Sequence, residues 1–268
     1  MLTPYAVIGN PVAHSLSPVI HHYFAKQHNV ALSYSTIQGD DVLFEQQITE
    51  FFNNQGRGLN VTLPFKKRAF ALASVHTPRC QQARAANTLW YQNGVLHADN
   101  TDGIGLVTDL LRYCAVSALK ILIVGAGGAA CGIIPSLLAM QPKTLCLMNR
   151  SVASLVAIQA AFPQVECLPW HNVKDHFDLI INATASEMSS SPVEWPPVLL
   201  AARPFCYDLN YQLSQDTAFV RYARAHQCEA TDGLGMLIEQ AAAAFAQWHK
   251  IQPETKLLVS SRLACAGK

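Results

Sequence analysis

The sequence predicts an α/β protein of two domains, the second built on a doubly wound parallel sheet. Three observations carry that prediction. Short apolar runs of strand length alternate with longer amphipathic runs of helix length, the pattern of strands joined by helical crossovers. Near the middle, KILIVGAGGAACGIIPSLLA (120–139) passes from an apolar strand through a glycine turn into a helix, with alternating elements on both sides. Finally, 268 residues, 50% of them hydrophobic and only 14% charged, are enough chain and apolar material for two cores rather than one.

Taken in order, residues 5–9 (YAVIG) form a short strand that stops at Asn10-Pro11. His14-Ser15-Leu16-Ser17-Pro18 then opens a helix to about His28, with Ser17 as the expected N-cap and Pro18 at the first helical position. Two hydroxyls two residues apart at a helix start also suit a small carboxylate. Residues 32–37 make the second strand, and 41–54 an amphipathic helix capped by Asp40 or Asp41. The third strand, 58–63 (GLNVTL), is broken by Pro64, and Phe65-Lys66-Lys67-Arg68 opens the next helix. Three cations there oppose the positive end of the helix dipole, and such a conflict between charge and position marks a place to look for function. Residues 86–91 and 95–98 form a hairpin about Asn93-Gly94. Its second arm runs into Asp99-Asn100-Thr101-Asp102-Gly103, where the hinge between the domains is placed, and a helix spans about 104–114.

The strand at 121–124 runs into Gly125-Ala126-Gly127-Gly128-Ala129-Ala130. Gly125 permits a tight turn, Gly127 lets the backbone approach a pyrophosphate, and Ala130 is small enough for the helix to pack on the strand. The N–H groups and positive dipole end at the helix start then face the phosphates of a dinucleotide. Pro135 lies past the first turn of that helix and predicts a kink. The following strand, 144–148, ends in Asn149-Arg150. An acid there would bind the ribose 2′-hydroxyl of NAD, whereas a guanidinium suits a 2′-phosphate, so Arg150 points to NADP. Then come a helix (152–162), strands at 165–168 and 178–182, a Ser/Pro-rich loop (189–197), a strand at 205–209, a helix (217–226) and a short strand at 229–231. Asp232-Gly233-Leu234-Gly235 opens a long Ala-rich helix, 236–250.

Composition excludes several classes. A net charge of +1 provides no footprint for nucleic acid and no polybasic patch for a membrane. No run approaches the about 18 consecutive apolar residues of a membrane span, and MLTPYAVIGNP has neither the basic nor the apolar region of a secretory signal. Eight scattered cysteines without a C-x-x-C read as buried thiols of a reducing cytoplasm, and ten scattered histidines show no metal-binding spacing, so no metal is expected.

Several separated motifs agree on a family. GNPVAHSLSP (9–18), NVTLPFK (60–66), ANTL (86–89), NTDGIG (100–105), GAGGAA (125–130), NR (149–150), NAT (182–184), YDLNYQ (207–212) and DGLGMLIEQ (232–240), in this order, resemble the shikimate dehydrogenases. The resemblance runs from Tyr5 to about Pro253. It implies a substrate domain of residues 1–101 completed by 237–268, a Rossmann-type NADP domain of 102–236, and an active site in the cleft between them. The implied reaction is the reversible, NADPH-dependent reduction of 3-dehydroshikimate to shikimate, a step toward chorismate and the aromatic amino acids. Lys66 and Asp102 match the family's catalytic pair. Ser15 and Ser17 match the hydroxyls on the substrate carboxylate, and Thr62, Asn87, Tyr211 and Gln240 match further substrate contacts. Gly125, Ala126, Gly127, Gly128, Ala129, Asn149, Arg150, Ser151, Thr184, Leu209 and Gly233 match cofactor contacts. A cytoplasmic monomer or homodimer with only a small-molecule partner is implied. The residue types suit the chemistry: a carbonyl that receives hydride becomes an alkoxide, an ammonium offers it charge and a proton, and a carboxylate orients the ammonium.

The chain departs from the pattern at a few positions. Where NADP-using members follow the NR pair with Thr and, three residues later, a second cation, this chain has Ser151 and Ser154, which leaves one arginine for the 2′-phosphate. Glu187 stands where the family has Gly after the NAT segment, and Arg84 and Ala86 replace Gly and Val beside Asn87. Two other readings compete: a quinate/shikimate dehydrogenase accepting NAD, and a catalytically idle sensor of shikimate or nucleotide. Retention of both Lys66 and Asp102 argues against the sensor.

Overall fold

The computed structural model describes residues 2–170, 173, 175–184 and 195–262. The chain divides into two compact units, Met1–Leu106 with Leu237–Lys268, and Val107–Met236.

The first unit holds β1 (Thr3–Gly9), α1 (Ser17–Gln27), β2 (Leu32–Gln38), α2 (Phe44–Asn53), β3 (Gly58–Val61), α3 (Lys66–Leu72), β4 (Val75–His76), α4 (Pro78–Ala83), β5 (Thr88–Gln92) and β6 (Val95–Asp99). Its strands form one sheet in the order β2-β1-β3-β5-β6-β4. β1 is parallel to β2 and β3, β5 is antiparallel to β3, and β6 is antiparallel to β5. Two reversals restore direction, so the carboxyl ends of β1, β3 and β6 share an edge with the amino end of β5. The core on this sheet is built from Ala6, Ile8, Leu59, Val61 and Leu89 of the strands, Phe44, Ile48 and Ala69 of the helices, and Phe65 just before α3.

α5 (Asp102–Leu110) leads into the second unit, which continues with β7 (Lys120–Val124), α6 (Gly128–Ala139), β8 (Thr144–Asn149), α7 (Val152–Ala161), β9 (Glu166–Pro169), β10 (Leu179–Asn182), β11 (Phe205–Asp208), α8 (Ala218–Ala225) and β12 (Ala230–Thr231). All six strands are parallel, in the order β12-β11-β10-β7-β8-β9. The order reverses at β7, so this is a doubly wound sheet with its switch point beside the first strand, where such sheets take ligands. The fully buried run Ile121–Val124, Leu145–Met148 and Leu179–Ile181 explains why these strands read as continuous apolar stretches rather than alternating ones. α9 (Leu234–His249) and α10 (Lys256–Ser260) follow. The end of α9 closes the first unit: Trp248 lies against Gly58, and its indole N–H donates to the Leu89 carbonyl at 3.3 Å.

Several expectations need correction. Ser17 is not the N-cap of α1; the cap is Leu16, without a side-chain bond, and the Ser17 N–H donates to Ser15 Oγ at 3.3 Å. Asp40 does accept backbone N–H groups, from Val42 and Leu43, but these precede a helix that starts only at Phe44. α5 begins at Asp102 rather than near 104, which puts the carboxylate in the first turn, where the dipole favours it. Pro135 does lie inside α6, which runs on to Ala139. The expected loop at 189–197 lies largely outside the described residues, with a 3-10 turn at Pro197–Leu200 beyond it, and so do Glu187 and Cys265.

Candidate functional site

In the first unit the sequence-singled residues gather at the shared sheet edge. Ser15 and Ser17 follow β1, Thr62 and Lys66 follow β3, Asn87 precedes β5, and Asp102 follows β6. The loops there are tied across strands: Asn10 N–H donates to the Leu63 carbonyl at 2.8 Å and Thr62 N–H to the Ile8 carbonyl at 2.9 Å. Lys66 Nζ donates to Asp102 Oδ2 at 2.6 Å, the ammonium side chain 13% exposed and the carboxylate 5%. Asn87 Nδ2 donates to the other oxygen, Asp102 Oδ1, at 2.8 Å, and lies 3.2 Å from Gln240 Oε1. Gln240 Nε2 is anchored on the Leu237 carbonyl at 2.8 Å. Ser17 and Asn87 are buried, while Ser15, Thr62 and Gln240 are half-buried.

A second layer of buried polar residues holds this group, and sequence reasoning missed it. Tyr34 O–H donates to Asn60 Oδ1 at 2.6 Å, and Asn60 Nδ2 donates to the Asn87 carbonyl at 3.0 Å and to Thr88 Oγ1 at 3.1 Å. Thr88 Oγ1 and Thr101 N–H both donate to Asn87 Oδ1 at 2.9 Å. Asn100 Oδ1 accepts the Asp102 N–H at 3.1 Å. Burial holds the Tyr34 phenol well above its usual pKa, opposed by a hydrogen bond with Ser17. The available signal was polar residues in and just after apolar strands: Asn60 inside GLNVTL and the run Asp99–Asp102 from the last residue of β6 onward. Of the three cations opening α3, Arg68 has a structural role, paired with Glu45 and lying 4.9 Å over the Phe44 ring. Lys67 is exposed.

In the second unit the residues expected to hold cofactor lie at the carboxyl ends of the parallel strands. Gly125–Ala129 follow β7, Asn149 ends β8 with Arg150 and Ser151 after it, Thr184 follows β10, Leu209 follows β11 and Gly233 follows β12. Gly125 has φ +109°, and a Cβ there would lie 3.0 Å from the Ala183 carbonyl carbon and oxygen, so both conformation and space require glycine. At Gly127 an added Cβ would meet nothing within 4 Å. That open space stands at the start of α6, a helix with no side-chain cap, so its first N–H groups face it. Open backbone and uncapped amides fit a pyrophosphate. A polar ladder fixes the next loops: Thr184 Oγ1 donates to Asn182 Oδ1 at 2.7 Å, Asn182 Nδ2 to Asp208 Oδ1 at 2.9 Å, and Asn210 Nδ2 to the Thr184 carbonyl at 2.9 Å. Gly233 N–H donates to the Asn210 carbonyl at 2.9 Å. Ser151 caps α7, its Oγ accepting the Ser154 N–H at 3.3 Å. Arg150 is exposed, and Tyr211, just beyond β11, is half-buried.

Arg84 acquires a physical account. It is the C-cap of α4 in the left-handed region, φ 48° and ψ 35°, a conformation that suits glycine. The thiols are inert by environment: burial pushes Cys80 and Cys146 up to about 12. Among the described residues there is no group of three metal-ligating side chains, and no helix is long and apolar enough to cross a membrane.

Comparison with known proteins bears on the fold and the family. The family model of the shikimate dehydrogenase substrate binding domain matches residues 7–89, that of shikimate / quinate 5-dehydrogenase matches 109–194, and that of the shikimate 5′-dehydrogenase C-terminal domain matches 233–258. The chain is 55% identical to a shikimate dehydrogenase (NADP(+)) of Legionella pneumophila strain Lens over 96% of this chain and 97% of that protein. Among solved structures it is similar to an Ael1 enzyme from Pseudomonas putida, with TM-score 0.88 and 36% identity over 96% of this chain and 97% of that one. It is also similar to the Thermus thermophilus shikimate 5-dehydrogenase in complex with NADP(H) and shikimate, with TM-score 0.85 and 29% identity over 96% of each chain.

Proposed function

We propose, from the premise that the chain belongs to the shikimate/quinate dehydrogenase family, that it reduces 3-dehydroshikimate reversibly to shikimate with NADPH. The observation that carries this reading is the Lys66–Asp102 pair at 2.6 Å, with Asn87 on the second carboxylate oxygen and Gln240 beside it. Bound NADPH supplies the hydride. Lys66 Nζ holds the positive charge and the proton that an oxygen becoming an alkoxide requires, next to the carboxylate that orients it. Ser15 and Ser17 bind the substrate carboxylate. Thr62, Asn87, Tyr211 and Gln240 bind the rest of the substrate, and Asp102 orients Lys66.

The donors in the second unit fit NADP: open space above Gly127 and uncapped amides at Gly128 for the pyrophosphate, and Arg150 with Ser151 for the 2′-phosphate. Thr184, Leu209 and Gly233, at the carboxyl ends of β10, β11 and β12, would supply further contacts to the cofactor. We read it as a monomer or homodimer of the cytoplasm, the compartment that the described cysteines, all free, support. Initial rates with shikimate and quinate, each against NADP and NAD, test the assignment. Shikimate with NADP should be fastest, and a faster quinate–NAD reaction overturns it.

A further inference from the structure

We propose that Trp170 is a positioning residue for Arg150 and, through it, a determinant of the preference for a 2′-phosphorylated cofactor. The proposal rests on the reading of Arg150 as the 2′-phosphate ligand. β8 and β9 are parallel neighbours, and their last paired residues are Asn149 and Pro169. One step further along each strand are Arg150 and Trp170, so the register itself delivers the guanidinium and the indole side by side. Arg150 Cζ lies over the Trp170 ring, 6.0 Å from its centroid, within reach of a cation–π attraction. Among the described residues the Arg150 side chain has no hydrogen bond or ion pair, so the indole is its protein contact there.

The indole is itself fixed. Its ring centroid lies 6.1 Å from that of Trp195, which is buried and packs 4.6 Å from Phe219. Trp170 belongs to the fringe of the second unit's core, packed against the cluster that contains Leu122, Met148 and Ile180. A core-anchored aromatic face thus restricts an otherwise free, exposed arginine. Free arginine side chains carry substantial rotamer entropy that binding must remove, and restricting them beforehand favours the bound state. The restriction matters here because the clamp has one cation: Ser154 occupies the place of a second, and Ser151 Oγ already accepts a helix N–H.

Calorimetric binding of NADP⁺ and NAD⁺, which differ only in the 2′-phosphate, tests the idea without turnover. Trp170→Leu should weaken NADP⁺ about 2- to 5-fold, the range of an exposed cation–π contact, and leave NAD⁺ unchanged. Trp170→Phe, which keeps a ring, should recover part of the loss and guards against a folding defect in the leucine variant. In an Arg150→Met background, Trp170→Leu should have no further effect on NADP⁺. Equal losses for both dinucleotides, or no loss for NADP⁺, overturn the positioning role. If Arg150→Met alone leaves the NADP⁺ to NAD⁺ ratio unchanged, the reading of Arg150 fails and the proposal falls with it. If Arg150→Met lowers the ratio while Trp170→Leu does not, the proposal fails alone.

Discussion

Lowering the pH from 7 to 5 places a proton on His21 in the unfolded chain but not in the folded one. His21 lies on α1 with no exposed surface, its ring stacked on Tyr34 at 4.3 Å and 8°, and Phe24, Phe245 and Trp248 close around it. Neither ring nitrogen has a hydrogen-bond partner among the described residues. Burial drives its pKa from 6.5 down to about 3, the charge of His249 pushes the same way, the Asn60 side chain opposes, and His22 adds a smaller push downward. The folded pKa lies below the unfolded one, so between these values the unfolded chain binds the extra proton. Stability is therefore complete above pH 6.5 and falls as pH drops toward 3. At about 1.36 kcal/mol per pH unit the loss is about 2 kcal/mol at pH 5 and about 5 kcal/mol in full. The depressed carboxyls of Asp40 and Glu45 lose their contributions lower, below their ordinary values of 3.8 and 4.5. His249, also lowered by burial, has the same sign as His21 and must be separated from it.

His21→Phe makes that separation, since it keeps a ring on Tyr34 and removes the titration. Denaturant unfolding of both proteins at pH 7 and pH 5 should show the wild type losing about 2 kcal/mol more than the variant. Proton NMR of the imidazole reads the same quantity directly, and the His21 ring should not begin to titrate until well below pH 5. A midpoint above pH 5, or parallel pH dependence of the two proteins, refutes the reasoning.

Lys66→Ala should lower kcat about 10²-fold or more with KM nearly unchanged, measured by steady-state kinetics with shikimate; near-normal turnover would remove Lys66 from the chemistry. Gly125→Ala should cost about 1–3 kcal/mol, because it forces a side chain into a glycine-only conformation against the Ala183 backbone, and the thermal midpoint reports it. Arg84→Gly should stabilise the protein by about 0.5–1 kcal/mol, the left-handed penalty relieved less the added freedom of the unfolded chain; an unchanged or lower midpoint counts against the strain at φ 48°. Tyr34→Phe leaves buried Asn60 Oδ1 without its donor and should cost about 1–3 kcal/mol in denaturant unfolding.

The doubly wound sheet was legible because each of its main strands is buried on both faces and each crossover is helical, so apolar runs and periodicity mark them without ambiguity. The small elements were not. β4 is two residues long and owes its existence to pairing with β6, a contact distant in sequence. α4 has six residues and too little length for a periodic face, although Thr77-Pro78 was a readable start, and Thr77 Oγ1 does accept the Cys80 N–H. The cap at Ser17 failed for a local reason: the Ser15 hydroxyl takes up the Ser17 N–H, and the helix begins one residue earlier than the Ser-Pro signal suggests. The conflict of charge and dipole at Lys66 is met in the structure by an ion pair with Asp102. What no local rule could supply was that partner's identity, 36 residues away, or the layer of Tyr34, Asn60 and Thr101 beneath it.

That layer also fixes the groups around Lys66. Both Asp102 oxygens are engaged, one by Lys66 and one by Asn87, so the carboxylate is fixed in place rather than free to exchange partners. Asn87 in turn has its carbonyl oxygen and its amide nitrogen committed, to Thr88 and Thr101 on one side and to Asp102 on the other. Gln240 is tethered through its own amide to Leu237. An ammonium carries three N–H donors, and among the described residues only one of those on Lys66 has a partner. Asp102 and Asn87 are held by one another and by their neighbours, while Lys66 keeps N–H donors in reserve at the sheet edge. On the reading proposed above, a substrate oxygen arriving there would meet an ammonium with N–H donors still to offer, held in place by the Asp102 carboxylate.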